Sequence, residues 1–338
     1  MITQINIENY KSIQKLKIEL GRVTTLIGEN GCGKSNILEA IALSAAAAGN
    51  KLDDEFLVSR GIRETEPELM RAAFDKENLD KEIKIYFGEN KDMFFDYILQ
   101  NKNKPYTKWT NETLQLNDSF YLQKFLIYSP EYQCLRNFRE EGQIRPLGIH
   151  GEGLFKLLQV LSSDENKLNE IKEKLKLMGW FKDLQVPKNL FTGERAIQIK
   201  DRYIDQGLTF DQRSTNEGFL FLLFYFCLFI SEDTPKFFAI DNIEASFNPK
   251  LCQRLVKELA SLAEKYDKQV IFTTHNPAIL DGLNLDDDEQ RLFIISRNKS
   301  GYTRARRFLK PKTAEGEKSV RMSEAFLRGY IGGLPKSF

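Results

Sequence analysis

The chain lacks a dominant charge and a cysteine framework, and each absence excludes a class of protein. Among 338 residues, 49 lysines and arginines nearly balance 48 aspartates and glutamates, giving a net charge of +1. Global charge therefore gives no argument for a nucleic-acid or membrane partner, so any such partner must be recognised locally. The 4 cysteines are scattered without a Cys-x-x-Cys pair, and no signal-like segment opens the chain. We therefore expect a reduced, cytoplasmic protein.

The chain also lacks a long hydrophobic run. Its most apolar stretch, Phe219 to Ile230, is shorter than the roughly 20 residues that a membrane-spanning helix needs, so we predict a buried helix and no membrane partner. Alternating apolar residues predict a strand hairpin around the loop Asn9 to Ser12. Further elements are predicted at Lys124 to Tyr128 (strand), from near Leu154 (helix), at Lys167 to Met178 (helix), Phe237 to Ile240 (strand), Pro249 to Lys265 (helix) and Gln269 to Thr273 (strand).

These patterns indicate a single elaborated α/β domain. Residues 1–50 and 235–310 form its predicted core lobe. An insertion of strands and short helices is predicted at 51–123, a more helical lobe at 124–234 and a tail at 311–338.

A phosphate-binding motif lies near the amino terminus. Gly28 to Ser35 read Gly-Glu-Asn-Gly-Cys-Gly-Lys-Ser, between an apolar strand at Val23 to Ile27 and a helix-forming run from Asn36. In such a loop, glycines let backbone N–H groups close around phosphates, Lys34 reaches the β- and γ-oxygens, and the Ser35 hydroxyl ligates Mg²⁺. The flanking strand and helix make a chance glycine turn a poor alternative, so we predict a nucleotide site.

Two later strands end in residues suited to the same chemistry. Four apolar residues precede Asp241, the pattern of a Walker B strand whose terminal carboxylate holds Mg²⁺. Another strand ends just before His275. Because ligands bind at the carboxyl edge of open α/β sheets, we favour His275 as a γ-phosphate sensor over a structural histidine.

Together these motifs resemble the ABC-type ATPase superfamily, most closely its RecF/SMC-like and OLD-like branches, many members of which act in bacterial DNA repair and anti-phage defence. The resemblance is carried by the phosphate loop with Asn36 after it, the run Ile240 to Pro249, and Thr274-His275-Asn276-Pro277. The opening Asn9 to Ile13 is also similar. The implied fold is an α/β ABC-type P-loop ATPase head: a mixed β-sheet core with an antiparallel N-terminal hairpin and an inserted helical signature lobe.

The resemblance also implies ligands and an assembly. ATP and Mg²⁺ are the expected cofactors, bound between two heads of a head-to-tail homodimer or a higher assembly. Ser35, Asp241 and, by a loose match, Gln133 are the implied Mg²⁺ ligands. The implied nucleotide contacts are Lys11, Ser12, Asn30, Gly31, Cys32, Gly33, Lys34, Ser35, Asn36 and Gln133.

A signature segment, which caps the γ-phosphate of the partner head, is expected between the two Walker motifs. The best match is Ser214-Thr215-Asn216-Glu217-Gly218, directly before the apolar stretch. The family usually has Ser where Asn216 stands, and either Ser214 or Asn216 can donate to phosphate. An ordinary helix N-cap is the alternative, because Ser or Asn often precedes an apolar helix.

One residue departs from the family pattern. The family places Glu directly after the Walker B Asp, whereas this chain has Asn242, and an amide cannot take the proton of the attacking water. Either Glu244 or another acid substitutes and hydrolysis is slow, which we favour, or ATP chiefly holds two heads together. Asn242→Glu is then predicted to raise turnover. Asn242, Glu244 and His275 are the candidate catalytic residues.

The remaining segments give weaker signals. A basic run lies near the carboxyl-terminal part of the sequence and consists of Arg304, Arg306, Arg307, Lys310 and Lys312. Such a run binds the phosphates of nucleic acids or, more often, forms a solvated surface. The aromatic residues of the insertion stack bases, dock a partner or, more often, fill a core: Phe94, Phe95, Tyr97, Tyr106 and Trp109.

Two functions are carried forward. The first is a regulatory or scaffold ATPase resembling those of anti-phage defence systems, which controls a separately encoded nuclease or toxin. The second is a RecF-like ATPase that acts directly on DNA in repair or recombination, with nucleic acid as its partner. A transporter subunit is disfavoured by the SMC-like opening residues.

Overall fold

The computed structural model describes residues 1–89, 93–103, 108–113, 120–138, 146–187, 195–204, 207–310 and 321–332. The strands are β1 (Ile2–Tyr10), β2 (Ile13–Glu19), β3 (Val23–Ile27), β4 (Ile83–Glu89), β5 (Met93–Gln100), β6 (Thr110–Asn111), β7 (Ile127–Tyr128), β8 (Phe181–Gln185), β9 (Gln198–Asp201), β10 (Phe237–Ile240), β11 (Gln269–Thr274), β12 (Gln290–Arg297) and β13 (Thr303–Phe308). The helices are α1 (Lys34–Ala48), α2 (Asp54–Ser59), α3 (Phe120–Gln123), α4 (Tyr132–Asn137), α5 (Leu154–Leu161), α6 (Glu165–Leu175), α7 (Glu217–Ile230), α8 (Pro249–Lys265) and α9 (Met322–Leu327), with short 3₁₀ helices at Lys76–Asn78 and Pro277–Gly282.

The chain divides into two compact units. The first unit comprises Met1–Ile127, Pro235–Glu244 and Gln269–Phe338. The second comprises Tyr128–Thr234 and Ala245–Lys268. The helix α8, which the sequence pattern placed in the core lobe, is thus grouped with the helical segment. The reason is its apolar face, which packs against α7.

A six-stranded sheet forms the centre of the first unit, in the order β13-β12-β3-β11-β10-β7. Strands β12, β3, β11 and β10 run parallel, and β13 is antiparallel to β12. Strands β3, β10 and β11 are buried along their whole length, as expected of parallel strands covered on both faces. Thr274 pairs with Ile27, and Ile240 pairs with Phe272. The residues that follow these three strands therefore meet at one edge.

A second, antiparallel sheet of the first unit has the order β2-β1-β4-β5-β6. It contains the predicted hairpin, with Asn9 and Lys11 in left-handed conformations at its turn. Strands β4 and β5 come from the predicted insertion at 51–123 and continue this sheet. The insertion therefore supplies part of the scaffold beneath the site.

Three of the five aromatic residues singled out in that insertion fill a core. Phe95, Tyr97 and Trp109 are buried, and the Phe95 ring stacks on Phe87 with the centroids 5.2 Å apart. The idea that they stack bases is therefore wrong for these three, because they are covered by protein. The Phe94 side chain and Tyr106 lie outside the described residues.

The second unit is organised around α7, the predicted buried helix. Residues 218–230 of α7 are all buried, and α4, α5, α6 and α8 pack against it. A helix that is apolar on every side needs such an all-round cover. Within the described parts of the chain, no helix combines the length and apolarity that crossing a membrane demands.

Most element boundaries agree with the sequence pattern, but one strand is shorter. The segment predicted as a strand from Lys124 forms strand only at β7 and is preceded by α3. Leu126 nevertheless accepts a backbone hydrogen bond from Ala239 of β10, at 2.9 Å. The edge position leaves this segment with one neighbouring strand, which explains its brevity.

Candidate functional site

The phosphate loop follows β3 and is held open by close packing around its glycines. Gly33 has φ 104°, and a Cβ there would lie 2.1 Å from Thr303 Oγ1. A Cβ at Gly28 would lie 2.1 Å from the Ile295 carbonyl oxygen. Both positions therefore exclude any side chain, as a loop that wraps phosphates requires.

The helix α1 begins directly after this loop with free N-terminal donors. Its N-cap is Gly33, which has no capping side chain, and its first turn contains no acidic residue. The N–H groups of the first turn thus point the positive end of the helix dipole at the loop, without a capping side chain from residue 33. This arrangement suits a bound phosphate.

Lys34 is folded back on its own loop. Its Nζ donates to the carbonyl oxygens of Gly28 at 2.8 Å and Glu29 at 3.1 Å, and lies 3.2 Å from His275 Nδ1. Burial lowers the pKa of Lys34, against the opposing effect of nearby acidic groups such as Asp241. The ammonium group is held by neutral acceptors that a phosphate oxygen can replace.

The two predicted Mg²⁺ ligands of the first unit are in contact. Ser35 Oγ donates to Asp241 Oδ2 at 3.2 Å, and Thr273 Oγ1 donates to the other carboxylate oxygen. A hydroxyl and a carboxylate oxygen at the edge of the loop are the hard oxygen ligands that Mg²⁺ prefers. The residues present therefore fit Mg²⁺.

The turn after β10 determines where the side chains of Asn242 and Glu244 point, a question that the sequence alone did not answer. Asn242 has φ 55°, a left-handed conformation, and its N–H donates to Thr273 Oγ1 at 2.9 Å. Glu244 Oε1 accepts from the backbone N–H of His275 at 2.7 Å. Among the described residues, Glu244 Oε2 is buried without a hydrogen-bond partner. Asn242 thus faces the site while Glu244 holds the backbone of the histidine.

His275 is placed at the loop, as its position after β11 predicted. Its Nδ1 lies 3.1 Å from the Gly28 carbonyl oxygen as well as near Lys34. Burial and the charge of Lys34 lower the pKa of His275, an effect that Glu244 partly opposes. Both effects favour the neutral imidazole, whose Nδ1 accepts from Lys34 in the tautomer protonated at Nε2 and donates to the Gly28 carbonyl oxygen in the other tautomer.

A cavity of about 290 Å³ lies over the loop. Arg63 and Arg297 line it, although no local motif marked them as site residues. They come from the segment after α2 and from the end of β12, so only folding brings them to the loop. The predicted residues along its wall are Asn30, Gly31, Gly33, Lys34, Ser35, Asn36, Asn242 and His275. Cys32 contributes backbone alone, because its side chain is buried.

Lys11 and Ser12 reach the same region from the hairpin turn. The Lys11 ammonium group pairs with Glu39 and donates to the Arg63 carbonyl oxygen at 2.7 Å. Ser12 Oγ lies 2.6 Å from Thr303 Oγ1 and accepts from Asn36 Nδ2 at 2.7 Å. The predicted hairpin residues thus contact the first two turns of α1.

A family model described as an AAA ATPase domain matches residues 1–217. The chain belongs to this family. The predicted RecF/SMC-like type of P-loop ATPase is confirmed, and so is its mixed α/β fold.

The solved structures similar to this chain include SMC heads. The SMC head bound to the C-winged helix domain of ScpA has a TM-score of 0.62 at 15% identity, with 91% of this chain and 97% of that one covered. The Pyrococcus furiosus Smc head with an extended coiled coil, bound to the C-terminal domain of ScpA, has a TM-score of 0.60 at 13% identity, with 91% and 96% covered. At these identities the likeness shows the fold.

Two curated proteins are similar in sequence. Septu protein PtuA of Bacillus mycoides (strain KBAB4) is 26% identical over 321 residues, 89% of this chain and 41% of that protein. The uncharacterised protein MJECL10 of Methanocaldococcus jannaschii is 33% identical over 112 residues, 31% of this chain and 49% of that protein. The AAA ATPase chain thus spans less than half the length of the curated relatives it matches.

The remaining predicted site residues belong to the second unit. Gln133 lies in α4, and the segment from Ser214 to Gly218 leads into α7. Asn216 Oδ1 accepts from the N–H of Phe219 at 2.9 Å, which makes Asn216 the N-cap of α7. Ser214 Oγ donates to Asp211 Oδ1 at 3.2 Å. Their contact with a nucleotide stays a prediction.

Two residues of the basic run form ion pairs within the chain. Arg307 pairs with Asp288, and Lys310 pairs with Asp286 at 2.6 Å. Arg306 donates to the Ile331 carbonyl oxygen. Lys312 lies outside the described residues. These contacts favour the solvated-face interpretation over a phosphate-binding strip.

Proposed function

We propose that the chain is an ATP-binding and slowly hydrolysing ABC-type ATPase that dimerises head-to-tail around ATP. In this proposal it regulates or scaffolds a separately encoded nuclease or toxin in bacterial anti-phage defence. The contact of Ser35 with Asp241 beside the phosphate loop carries the nucleotide part of the proposal, because it joins the two Walker motifs at one point.

Each residue of the loop then has a role in binding. The backbone N–H groups of the loop and of the first turn of α1 surround the phosphates, and Lys34 exchanges its carbonyl acceptors for phosphate oxygens. Ser35 and Asp241 hold Mg²⁺, which neutralises charge on the β- and γ-phosphates when bound. Gln133 is a further proposed ligand. His275, neutral and beside Lys34, contacts the γ-phosphate.

Slow hydrolysis follows from the acid-poor wall of the cavity. Among the described lining residues, the position after Asp241 offers the Asn242 amide, which orients water but does not take its proton. Glu244, the next acid along the chain after Asp241, accepts a hydrogen bond from the backbone N–H of His275. A missing general base lowers the rate typically by 10²- to 10⁴-fold. ATP then persists long enough to hold an assembly together.

The dimer is proposed from the signature segment of the second unit. Asn216 already supplies its oxygen to cap α7, and its amide N–H₂ remains able to donate to a phosphate on a partner subunit. Glu217 and Gly218 begin the first turn of α7, whose N–H groups add donors. Ser214 is the other proposed side-chain donor.

The role in anti-phage defence is proposed from the similarity to relatives. Septu protein PtuA aligns with 89% of this chain, and the motifs resemble the ATPases of anti-phage defence systems. The chain matches 41% of that protein, so the effector and the whole activity are not carried over by the alignment.

The first test measures ATP binding and phosphate release by the purified chain with Mg²⁺, and Lys34→Ala is the control. We expect binding at micromolar or tighter ATP and slow release, both lost in Lys34→Ala at unchanged folding by circular dichroism. Phosphate release that survives Lys34→Ala marks a contaminating ATPase. Absence of ATP binding in the wild type contradicts the proposal.

A second test separates the defence function from the RecF-like alternative. Phage plating is compared for cells that express the chain with its neighbouring genes, the same genes with Lys34→Ala, and the chain alone. Protection that needs both Lys34 and a neighbouring gene supports the proposal. Stimulation of ATP hydrolysis by duplex or single-stranded DNA, without such protection, favours the alternative.

A further inference from the structure

A second cavity of about 540 Å³ lies next to the phosphate cavity in the first unit. The two share Asn36, Arg63 and Arg297 among their lining residues. A nucleotide whose phosphates occupy the loop extends its sugar and base beyond the loop. The second cavity is therefore where the rest of such a ligand has room.

A half-exposed aromatic ring stands in the wall of this cavity. Phe74 is 52% exposed, although the edge of the buried Tyr302 ring packs against it with centroids 5.3 Å apart. A Cβ at Gly301 would come within 3.2 Å of the Phe74 ring. The ring is thus fixed from one side by Tyr302 and Gly301, and keeps a large apolar surface towards solvent. Leu69 and Ala73 continue this apolar wall.

Arg297 connects that ring to the phosphate loop. Its guanidinium carbon lies 5.6 Å from the centroid of the Phe74 ring, and its Nε–H donates to the Gly31 carbonyl oxygen at 2.7 Å. The planar guanidinium is thereby held at the boundary of the two cavities. Guanidinium and phenyl planes are both surfaces on which nucleobases stack, with little dependence on the identity of the base.

We infer that Phe74 and Arg297 form a base-binding wall, on which the nucleobase of a bound nucleoside triphosphate stacks while its phosphates occupy the loop. This inference rests on the proposed nucleotide binding and names the residues that hold the nucleoside. Because Arg297 also contacts Gly31, base stacking and the shape of the phosphate loop are mechanically connected.

The test compares two ligands that differ in the nucleoside. Dissociation constants are measured by calorimetry for ATP and for inorganic tripolyphosphate, each with Mg²⁺, on the full chain. Phe74→Ala is expected to weaken ATP binding by roughly 5- to 150-fold, the usual effect of removing an aromatic stacking partner, and to leave tripolyphosphate binding unchanged. Phe74→Trp keeps a stacking surface and is expected to retain ATP affinity.

Matched controls separate stacking from general damage. Tyr121→Ala removes an aromatic ring of similar exposure, 48%, that lines neither cavity, and is expected to change neither ligand. Arg297→Lys keeps the charge but loses the plane, so it is expected to weaken ATP more than tripolyphosphate.

The outcomes distinguish this inference from the proposed function. If the wild type binds tripolyphosphate as tightly as ATP, or if Phe74→Ala weakens both ligands equally, the base wall is wrong while the phosphate site stands. If the wild type binds neither ligand, both the proposed nucleotide binding and the base-binding wall are wrong. Selective loss of ATP binding in Phe74→Ala supports the base wall.

Discussion

At the scale of single residues, Lys34 and His275 depend on each other. The Lys34 ammonium group has three N–H bonds, and the carbonyl oxygens of Gly28 and Glu29 together with His275 Nδ1 account for three acceptors. Nucleotide binding must exchange at least one of these contacts for a phosphate oxygen. His275 is one of these acceptors, so a phosphate oxygen that takes its place beside Lys34 would release His275 Nδ1 from this contact.

This contact predicts opposite pKa changes in two variants. Removing the Lys34 charge in Lys34→Met should raise the pKa of His275, whereas Glu244→Gln should lower it, because Lys34 lowers and Glu244 raises that pKa. Burial is the larger cause, so the pKa in Lys34→Met should stay below the ordinary value of about 6.5. The chain has 2 histidines, so NMR titration with His150→Gln for assignment gives a clean measurement. Shifts of equal sign in the two variants would contradict the described geometry.

A carboxylate introduced at the left-handed residue Asn242 is predicted to change both the rate of hydrolysis and the stability of the fold. Asn242→Glu is expected to raise the single-turnover rate of phosphate release, because it places a carboxylate where the cavity has an amide. It should also lower the free energy of unfolding by about 1 kcal/mol, since Asn tolerates φ 55° better than Glu. Asn242→Asp is the control for charge alone. An unchanged or lower rate at intact ATP affinity counts against the missing-base interpretation.

At the scale of elements, the ends of parallel strands assemble the site. Strands β3, β11 and β10 lie side by side, so the residues after each of them emerge together. Gly28 follows β3, His275 follows β11 and Asp241 follows β10. The β12–β13 hairpin then adds Arg297 and Thr303 from the other side of β3.

Two substitutions of Asn216, at the start of α7, distinguish its role as helix cap from its proposed contact with phosphate. Asn216→Ala should cost about 1 kcal/mol of folding stability, because the N–H of Phe219 loses its acceptor. Asn216→Asp keeps the acceptor and the stability but cannot donate to phosphate. If Asn216 contacts the partner's nucleotide, Asn216→Asp should weaken ATP-dependent dimerisation at unchanged melting temperature. Equal dimerisation of Asn216→Asp and wild type would restrict Asn216 to its capping role.

At the scale of the whole molecule, the predicted site residues are distributed over the two units. The first unit contains the phosphate loop, both Walker motifs, His275 and the two cavities. The second contains the proposed signature segment and Gln133 around the buried helix α7. In the proposed dimer, the signature segment of one chain contacts the nucleotide bound by its partner.

The assembly is predicted to respond to nucleotide. Light scattering after gel filtration should show a larger mass with ATP and Mg²⁺ than with ADP, because in the proposed dimer the signature segment contacts the γ-phosphate. Lys34→Ala, which loses the nucleotide, should show the smaller mass in both conditions. A mass that is independent of nucleotide and of Lys34 would contradict the ATP-held dimer.

The sequence by itself determined the class of the protein. The spacing from Gly28 to Ser35, the apolar strand before Asp241 and the strand before His275 are local patterns, and local patterns fix turns, strand ends and helix starts. The strands β3 and β10 and the helix α8 were predicted with the boundaries that the structure shows, and the hairpin was predicted with a longer loop than the structure has, because β1 extends to Tyr10.

Only the tertiary structure decided which distant side chains complete the site. Arg63, Arg297 and Phe74 carry no motif. Arg63 and Arg297 line the cavity over the loop, and Phe74 lines the second cavity, because the fold of the first unit brings these distant segments together. The direction of Glu244 depended on one left-handed residue, Asn242, and strand periodicity stops applying beyond the end of β10. Burial of the insertion aromatics depended on the sheet that β4 and β5 join, because the pairing partner of a strand is set by long-range packing.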